Sequence, residues 1–162
     1  MKILVFSDSH ASLGFMRRCI EATEPDAVIH LGDYYNDGQT MLEEFPHLPF
    51  HQVPGNCDMH RGWIPDPETR LLELGGVRFW LTHGHRHGVK QGLYRLIADA
   101  RASGVQAVLF GHTHLAHCSQ DNGLWVFNPG AASWGGSAGL IFTHCGRIQQ
   151  CVHIRPEDVK DL

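Results

Sequence analysis

Val5-Phe6-Ser7-Asp8-Ser9-His10 is the stretch on which the reading of the fold turns. A short apolar run from Met1 to Phe6 reads as a buried strand. It stops abruptly at residue types that bind metals or move protons. The same grammar returns four times along the chain. It appears as Val28-Ile29-His30-Leu31-Gly32-Asp33 and as Val53-Pro54-Gly55-Asn56-Cys57-Asp58. It appears again as Phe79-Trp80-Leu81-Thr82-His83-Gly84-His85 and as Val108-Leu109-Phe110-Gly111-His112-Thr113-His114. In α/β sheets, functional groups gather at the carboxyl ends of strands. These five ends supply two Asp, one Asn and four or five His, enough to coordinate two divalent ions. Imidazoles mixed with carboxylates and an amide oxygen suit Mn, Fe, Ni, Zn or Co better than calcium. Gly32, Gly55, Gly84 and Gly111 fit a backbone that turns sharply beside such a site.

Between these ends the pattern alternates. Ser12 to Ala22 reads as a helix with Ser12 as N-cap, because Leu13, Met16 and Ile20 fall at helical spacing. Ala27 to His30 is a second strand, Gln39 to Phe45 a helix, and Phe50 to Val53 a third strand. Arg70 to Leu74 and Val77 to Leu81 flank Gly75-Gly76, a hairpin signal. Gly92 to Ala102 is an amphipathic helix closed by Gly104, and Ala107 to Phe110 is a strand. The last third turns β: His117 to Gln120, Leu124 to Asn128, Ala138 to Thr143 and Arg147 to Ile154. Asp121-Asn122-Gly123 and Cys145-Gly146 punctuate these strands. The expectation is one α/β domain over residues 1–162, with more than one sheet layer and helices outside.

Composition narrows the function classes. With 162 residues, 43% hydrophobic and 19% charged, the chain reads as globular rather than disordered. No apolar run approaches a membrane span or a secretory h-region. Five cysteines without a C-x-x-C argue against a disulfide framework and for a reducing cytoplasm. A net charge of −4 with scattered Lys and Arg gives no basic face, so nucleic acid is not the expected partner. Thirteen histidines stand out, with six of them in two tight groups: His83, His85, His87, and His112, His114, His117.

Asp8-x-His10, Gly32-Asp33, Gly55-Asn56, His83-Gly84-His85 and Gly111-His112-x-His114, in this order, resemble the motifs of the calcineurin-like metallophosphoesterase superfamily. The short length and the Gly55-Asn56-Cys57-Asp58 form resemble its small prokaryotic phosphodiesterase branch, to which the small retromer subunit is also similar. The likeness runs from Met1 to about Ser133 and includes Asn128-Pro129-Gly130. It implies a four-layer αββα sandwich of two mixed sheets flanked by helices. It also implies phosphodiester hydrolysis by two divalent ions, Mn first, with Ni, Co, Fe, Zn or Mg as alternatives. Asp8, His10 and His114 would bind one ion, and Asn56, His83 and His112 the other, with Asp33 bridging. A hydroxide between the ions would attack phosphorus in line. Asp33, Asn56 and His85 are the residues expected to serve catalysis directly, His85 by contacting phosphate. A small phosphate ester is the expected partner, no membrane is, and an apolar edge in the β-rich third could serve a homodimer.

One departure matters. Many phosphatases of this superfamily carry a His after the Asn of the third motif, as general acid or leaving-group stabiliser. Here that position is Cys57, a poor substitute for imidazolium at neutral pH. This favours diesters with good leaving groups, and His85, His87 or His60 could replace the acid. Two alternatives stay open: a phosphomonoesterase on small metabolites, and a non-catalytic protein-interaction scaffold.

The remaining signals read as structural. Arg86, His87 and Lys90 look like a solvated helix start. His30, His47, His51, His144 and His153 look like surface or strand residues. The cysteines other than Cys57 look like small core residues, and Trp63, Trp80, Trp125 and Trp134 like core or rim. A zinc site on His117 and Cys118 lacks a second cysteine pair. Gly135-Gly136-Ser137-Ala138-Gly139 matches a nucleophile-elbow pattern but precedes a strand, so it reads as a turn.

Overall fold

Along β1 (Lys2–Phe6) the side chains alternate between two interiors. Leu4 and Phe6 join one core, Ile3 and Val5 another, and all four are fully buried. A strand covered on both faces needs an uninterrupted apolar run. That is why β1 showed no polar alternation in the sequence. This computed structural model describes residues 1–59, 67–133 and 136–159.

The other elements follow in chain order: α1 (Leu13–Thr23), β2 (Ala27–His30), α2 (Tyr35–Glu44), β3 (Phe50–Gln52), β4 (Thr69–Leu74) and β5 (Val77–Thr82). After a 3₁₀ turn at His85–His87 come α3 (Tyr94–Ala102), β6 (Ala107–Leu109), β7 (His117–Asp121), β8 (Leu124–Asn128), β9 (Ala138–His144) and β10 (Arg147–Ile154). The strands form two five-stranded sheets, ordered β10-β9-β1-β2-β3 and β4-β5-β6-β8-β7. Both are mixed. In the first, β1, β2 and β3 run parallel while β9 and β10 pair antiparallel. In the second, β5, β6 and β8 run parallel between antiparallel edges.

Three apolar clusters define the layers. Phe15, Met16, Cys19 and Ile20 of α1 and Met41 of α2 cover the outer face of the first sheet against Leu4, Phe6 and Val28. Ile3, Val5 and Ile29 meet Phe79, Leu81, Leu109 and Phe127 between the sheets. Leu96 and Ala100 of α3 cover the second sheet over Trp80, Val108 and Val126. The αββα sandwich expected from the resemblance is the architecture found.

The three hairpins obey their turn residues. Gly75-Gly76, Asn122-Gly123 and Cys145-Gly146 all have positive φ at both central positions, which matches the twist of paired strands. Helix boundaries differ more. Ser12 occupies the N-cap of α1 but makes no side-chain cap bond, and its carbonyl accepts from Phe15 and Met16 instead. α2 starts at Tyr35 rather than Gln39. Asn36-Asp37-Gly38 is poor helix sequence, but the Asp58 carboxylate accepts the Tyr35 N–H and starts the helix from outside. α3 starts at Tyr94 rather than Gly92, whose φ of 150° is not helical.

Some single-residue expectations fail. Among the cysteines besides Cys57, only Cys19 is a core residue; Cys118 and Cys145 are exposed and Cys151 is half-buried. Trp80 is core, as expected, while Trp63, Trp134, His60 and Gly135 lie outside the described residues. Arg86 is exposed and pairs with Glu68, but His87 is not solvated, because its ring meets the edge of Trp80 at 5.2 Å. Ser137 leads straight into β9, consistent with a turn rather than an elbow.

Candidate metal centre

Five strands end at one edge of the sandwich. β1 delivers Asp8 and His10, β2 delivers Asp33, and β3 leads to Asn56. From the second sheet, β5 delivers His83 and β6 leads to His112 and His114. The two sheets meet there: His83 Nε2 lies 3.9 Å from Asp8 Oδ1 and 3.5 Å from Asp33 Oδ2. His114 Nε2 lies 3.0 Å from Asp8 Oδ1. Donor atoms of Asp8, His10 and His114 all fall within 4.8 Å of one another, as do those of Asp8, Asp33 and His83. The two groups share Asp8, whereas the resemblance assigns the bridge to Asp33. The His112 ring lies 5.1 Å from that of His83. His85 stands behind both, with ring centroids 5.6 Å from His83 and 6.1 Å from His112.

The donor set fits a metal by a direct test. Asp8 Oδ1, His10 Nε2, Asn56 Oδ1 and His83 Nε2 are buried and make no hydrogen bond. Buried polar atoms without partners are costly and rare. Their convergence marks a place where cations would supply the missing interactions. Asp8 and His83 each have the other side-chain atom anchored elsewhere. Asp8 Oδ2 accepts from Ser7 Oγ at 2.6 Å and from the His112 N–H at 3.0 Å. His83 Nδ1 donates to the Leu31 carbonyl at 2.7 Å, which fixes the tautomer and leaves Nε2 facing the carboxylates. Asp33 Oδ1 accepts the Cys57 N–H at 2.8 Å.

The backbone is strained at this edge. Asp8, His10, Asp33, His112 and His114 all have φ between 44° and 67°. Left-handed conformation costs an L-residue roughly 1–2 kcal/mol, and such strain collects where function needs a particular side-chain direction. The loops are packed too tightly to relax. A Cβ on Gly111 would collide with Ser7 Oγ, and one on Gly55 with Asp33 Oδ1.

Electrostatics sort the donors. Burial works to raise the Asp33 pKa, but the His83 imidazolium 3.5 Å away and the Cys57 N–H hold it well below the usual carboxylate range. Burial works to lower the His83 pKa, and Asp33 and Asp8 outweigh it, so the imidazole is raised. His112 is pushed down to about 4 by burial, then by His83 and Lys90. His85 is also lowered, by burial and then by His83. Cys57 is pushed up to about 11 by burial and by Asp33, so it stays a neutral thiol. Of the three histidines considered as replacement acids, His85 alone is seen at the centre. His87 points away, with Nε2 3.6 Å from Asp99 Oδ2, and His60 is outside the described residues. His117 bonds Ser119 Oγ at 2.9 Å and joins no group of potential metal ligands among the described residues.

Sequence reasoning missed the supports. His30, read as an ordinary strand or surface residue, is fully buried. Its Nδ1 accepts the Gly32 N–H, so Nε2 donates to Ser9 Oγ at 3.1 Å. Ser9 Oγ donates on to Asp37 Oδ2 at 2.7 Å, which also accepts the Ala11 N–H. This chain pins the strained Asp8–Ala11 turn to α2. Asn128 does the same for the second sheet: its Nδ2 donates to the Gly111 carbonyl and to Thr113 Oγ1, both at 3.0 Å. Two sequence signals were available: the placement of Ser9 between Asp8 and His10, and the Asn128-Pro129-Gly130 stretch of the family likeness, to which the sequence reading assigns no role.

A fold of two mixed sheets with a carboxylate–imidazole cluster at their common edge defines a class of metal-dependent phosphoesterases. Residues 1–145 match the calcineurin-like phosphoesterase superfamily domain, and the chain belongs to that family. A protein of Mycoplasma pneumoniae described as a probable metallophosphoesterase is 30% identical over 97% of this chain and 99% of its own length. A phosphodiesterase of Methanocaldococcus jannaschii is 30% identical over 80% of this chain and 83% of its own. A crystal structure of Vps29 from Entamoeba histolytica superposes with a TM-score of 0.72 at 21% identity, covering 96% of this chain and 99% of that one, and so shares the fold. Among the described residues, no helix is long and apolar enough to cross a membrane.

Proposed function

We propose that this phosphoesterase is a phosphodiesterase with a dinuclear centre, manganese being the first candidate for the native ions and the cytoplasm its setting. One ion would be held by Asp8, His10 and His114, the other by Asn56, His83 and His112, with the Asp33 carboxylate between them. The observation that carries the reading is the set of buried donor atoms left without hydrogen bonds on Asp8, His10, Asn56 and His83. Two bound ions would supply an acidified water as in-line nucleophile and neutralise the phosphoryl oxygens.

The chain's own residues would then orient the ester. His85 is half-buried behind His83 and His112, and its lowered pKa keeps it a neutral hydrogen-bonding group toward phosphate rather than an imidazolium. Cys57, held as a thiol, offers no strong acid to a leaving alkoxide. Esters whose leaving group departs without protonation are therefore favoured, and diesters of that kind are the preferred substrates. All five cysteines are unpaired, which suits a reducing compartment.

The test is hydrolysis by metal-stripped protein given Mn, Ni, Co, Zn or Mg in turn. Bis-p-nitrophenyl phosphate would be compared with p-nitrophenyl phosphate, with Asp33→Asn and His112→Ala alongside. Metal-dependent diester cleavage, lost in both variants, is the expected result. Faster cleavage of the monoester would replace this reading with a phosphomonoesterase, and no turnover by folded protein with any metal would sink it.

A further inference from the structure

A polar cavity of about 580 Å³ opens directly beside the candidate centre. The two share His114, whose Nε2 faces Asp8 Oδ1 while its side chain lines the cavity. The loop after Asn128 contributes Ser133 and Ser137, and the end of β10 with the turn beyond it contributes His153, Arg155 and Glu157.

The lining is built in part and open in part. His153 stacks on Phe127 with ring centroids 4.9 Å apart and donates from Nε2 to the Asn128 carbonyl at 2.8 Å. Ser137 Oγ donates to the Pro129 carbonyl at 2.6 Å, which leaves its lone pairs as acceptors. Arg155 and Glu157 are both exposed to the cavity. They form no ion pair with each other or with another described residue. A group that only donates and a group that only accepts thus line one cavity with no ion pair between them.

Resting on the phosphodiesterase reading, we propose that this cavity receives one alcohol arm of the diester and selects a hydroxyl-rich one, a glycerol or sugar unit. Each hydroxyl both donates and accepts, so neighbouring hydroxyls can serve guanidinium and carboxylate together. A second phosphate would gain from Arg155 but meet Glu157. An alkyl or aryl arm would leave both charged groups unserved as they lose water. The volume is in the range of small-molecule sites, about 300–1,000 Å³.

Two chromogenic diesters with the same leaving group separate this proposal from the one it rests on. They are glyceryl p-nitrophenyl phosphate and ethyl p-nitrophenyl phosphate, assayed with manganese-loaded enzyme. The expected kcat/KM for the glyceryl ester is about tenfold higher, chiefly through KM. In Arg155→Gln and Glu157→Gln the ratio of the two esters falls toward one. Equal kcat/KM for both esters in the parent enzyme, or a ratio that neither substitution changes, would overturn the cavity assignment while leaving the phosphodiesterase reading intact. If neither ester is cleaved, the phosphodiesterase reading fails and binding decides the cavity separately. Metal-free protein is then titrated with each ester while the backbone amides of Ala116, Ala131 and Ser137 are followed by NMR. Shifts there with the glyceryl ester alone support the cavity; none, or equal shifts with both esters, rejects it.

Discussion

The carboxylate floor of the centre and its imidazole rim are held by different means. Asp8, Asp33 and His83 are buried, and each spends one polar atom on a neighbour within the protein. His10 and His112 are half-buried and His114 is exposed. Among the described residues, no side-chain hydrogen bond holds these three rings, and the positive φ of their backbones sets their direction. The floor is therefore part of the fold's polar skeleton, while the rim is carried on strained loops that the floor and its supports hold in place.

The largest expected effect sets one against the other. Asp8→Ala removes the acceptor of Ser7 Oγ and of the His112 N–H, and leaves His83 beside a single carboxylate. Leaving such buried groups unpaired should destabilise metal-free protein by about 3 kcal/mol and abolish metal-dependent hydrolysis. His114→Ala should also abolish high-affinity metal binding, yet change metal-free stability by less than about 0.5 kcal/mol, as exposed substitutions do. Urea unfolding of both stripped variants checks this, and equal destabilisation would erase the distinction between floor and rim.

Gly111→Ala comes next. The added methyl would strike Ser7 Oγ and crowd Asp8 Oδ2. Overpacking of this kind costs about 1–3 kcal/mol, and here it also displaces the floor from the rim residue that follows, so metal affinity measured by titration should fall with stability. Ser9→Ala is milder. It leaves the His30 Nε2–H without its acceptor and takes one donor from Asp37. A cost of about 1–2 kcal/mol is expected, with metal affinity reduced roughly 10-fold or more through the loosened Asp8–Ala11 turn. Unchanged affinity at reduced stability would mean that this chain supports the fold and not the ligands.

The floor was readable because each of its members follows an apolar run at a strand's end, and that signal is local. The sheets were readable for the same reason, with Gly75-Gly76 and Asn122-Gly123 fixing two hairpins by turn chemistry alone. The supports were not. Ser9 meets His30 across 21 residues and Asp37 across 28, and nothing local to His30 marks it as buried. Spacing alone did not separate His85 from His87; the family motif His83-Gly84-His85 did, and His87 was misread as a solvated helix start. The 3₁₀ turn places one beside His83 and the other against Trp80. The start of α2 depended on the carboxylate of Asp58, which arrives from after β3.

The subtlest prediction uses protons in place of substitutions. In metal-free protein, His83 on the floor and His112 on the rim are shifted in opposite directions from the ordinary histidine value of 6.5. His83 is raised, so the folded state holds its proton more tightly than the unfolded chain. Its contribution is complete below the unfolded value and is lost as pH rises through the folded one. His112 is lowered to about 4, so between pH 4 and 6.5 the unfolded chain binds the extra proton and stability falls as pH falls. The buried His30 acts on the same acid limb, because burial lowers it too. Metal-free stability should therefore peak near the ordinary histidine value and decline on both sides over this range. His83→Gln should flatten the alkaline limb and His112→Ala should weaken the acid one. Metal binding should remove the proton that His83 holds, because Nε2 cannot both carry it and ligate. Calorimetry at pH 6.5 in buffers of different ionisation enthalpy should detect that release in the parent protein and find less of it in His83→Gln. An unchanged release in that variant would place the proton on another residue and remove His83 from the shared electrostatics of the floor.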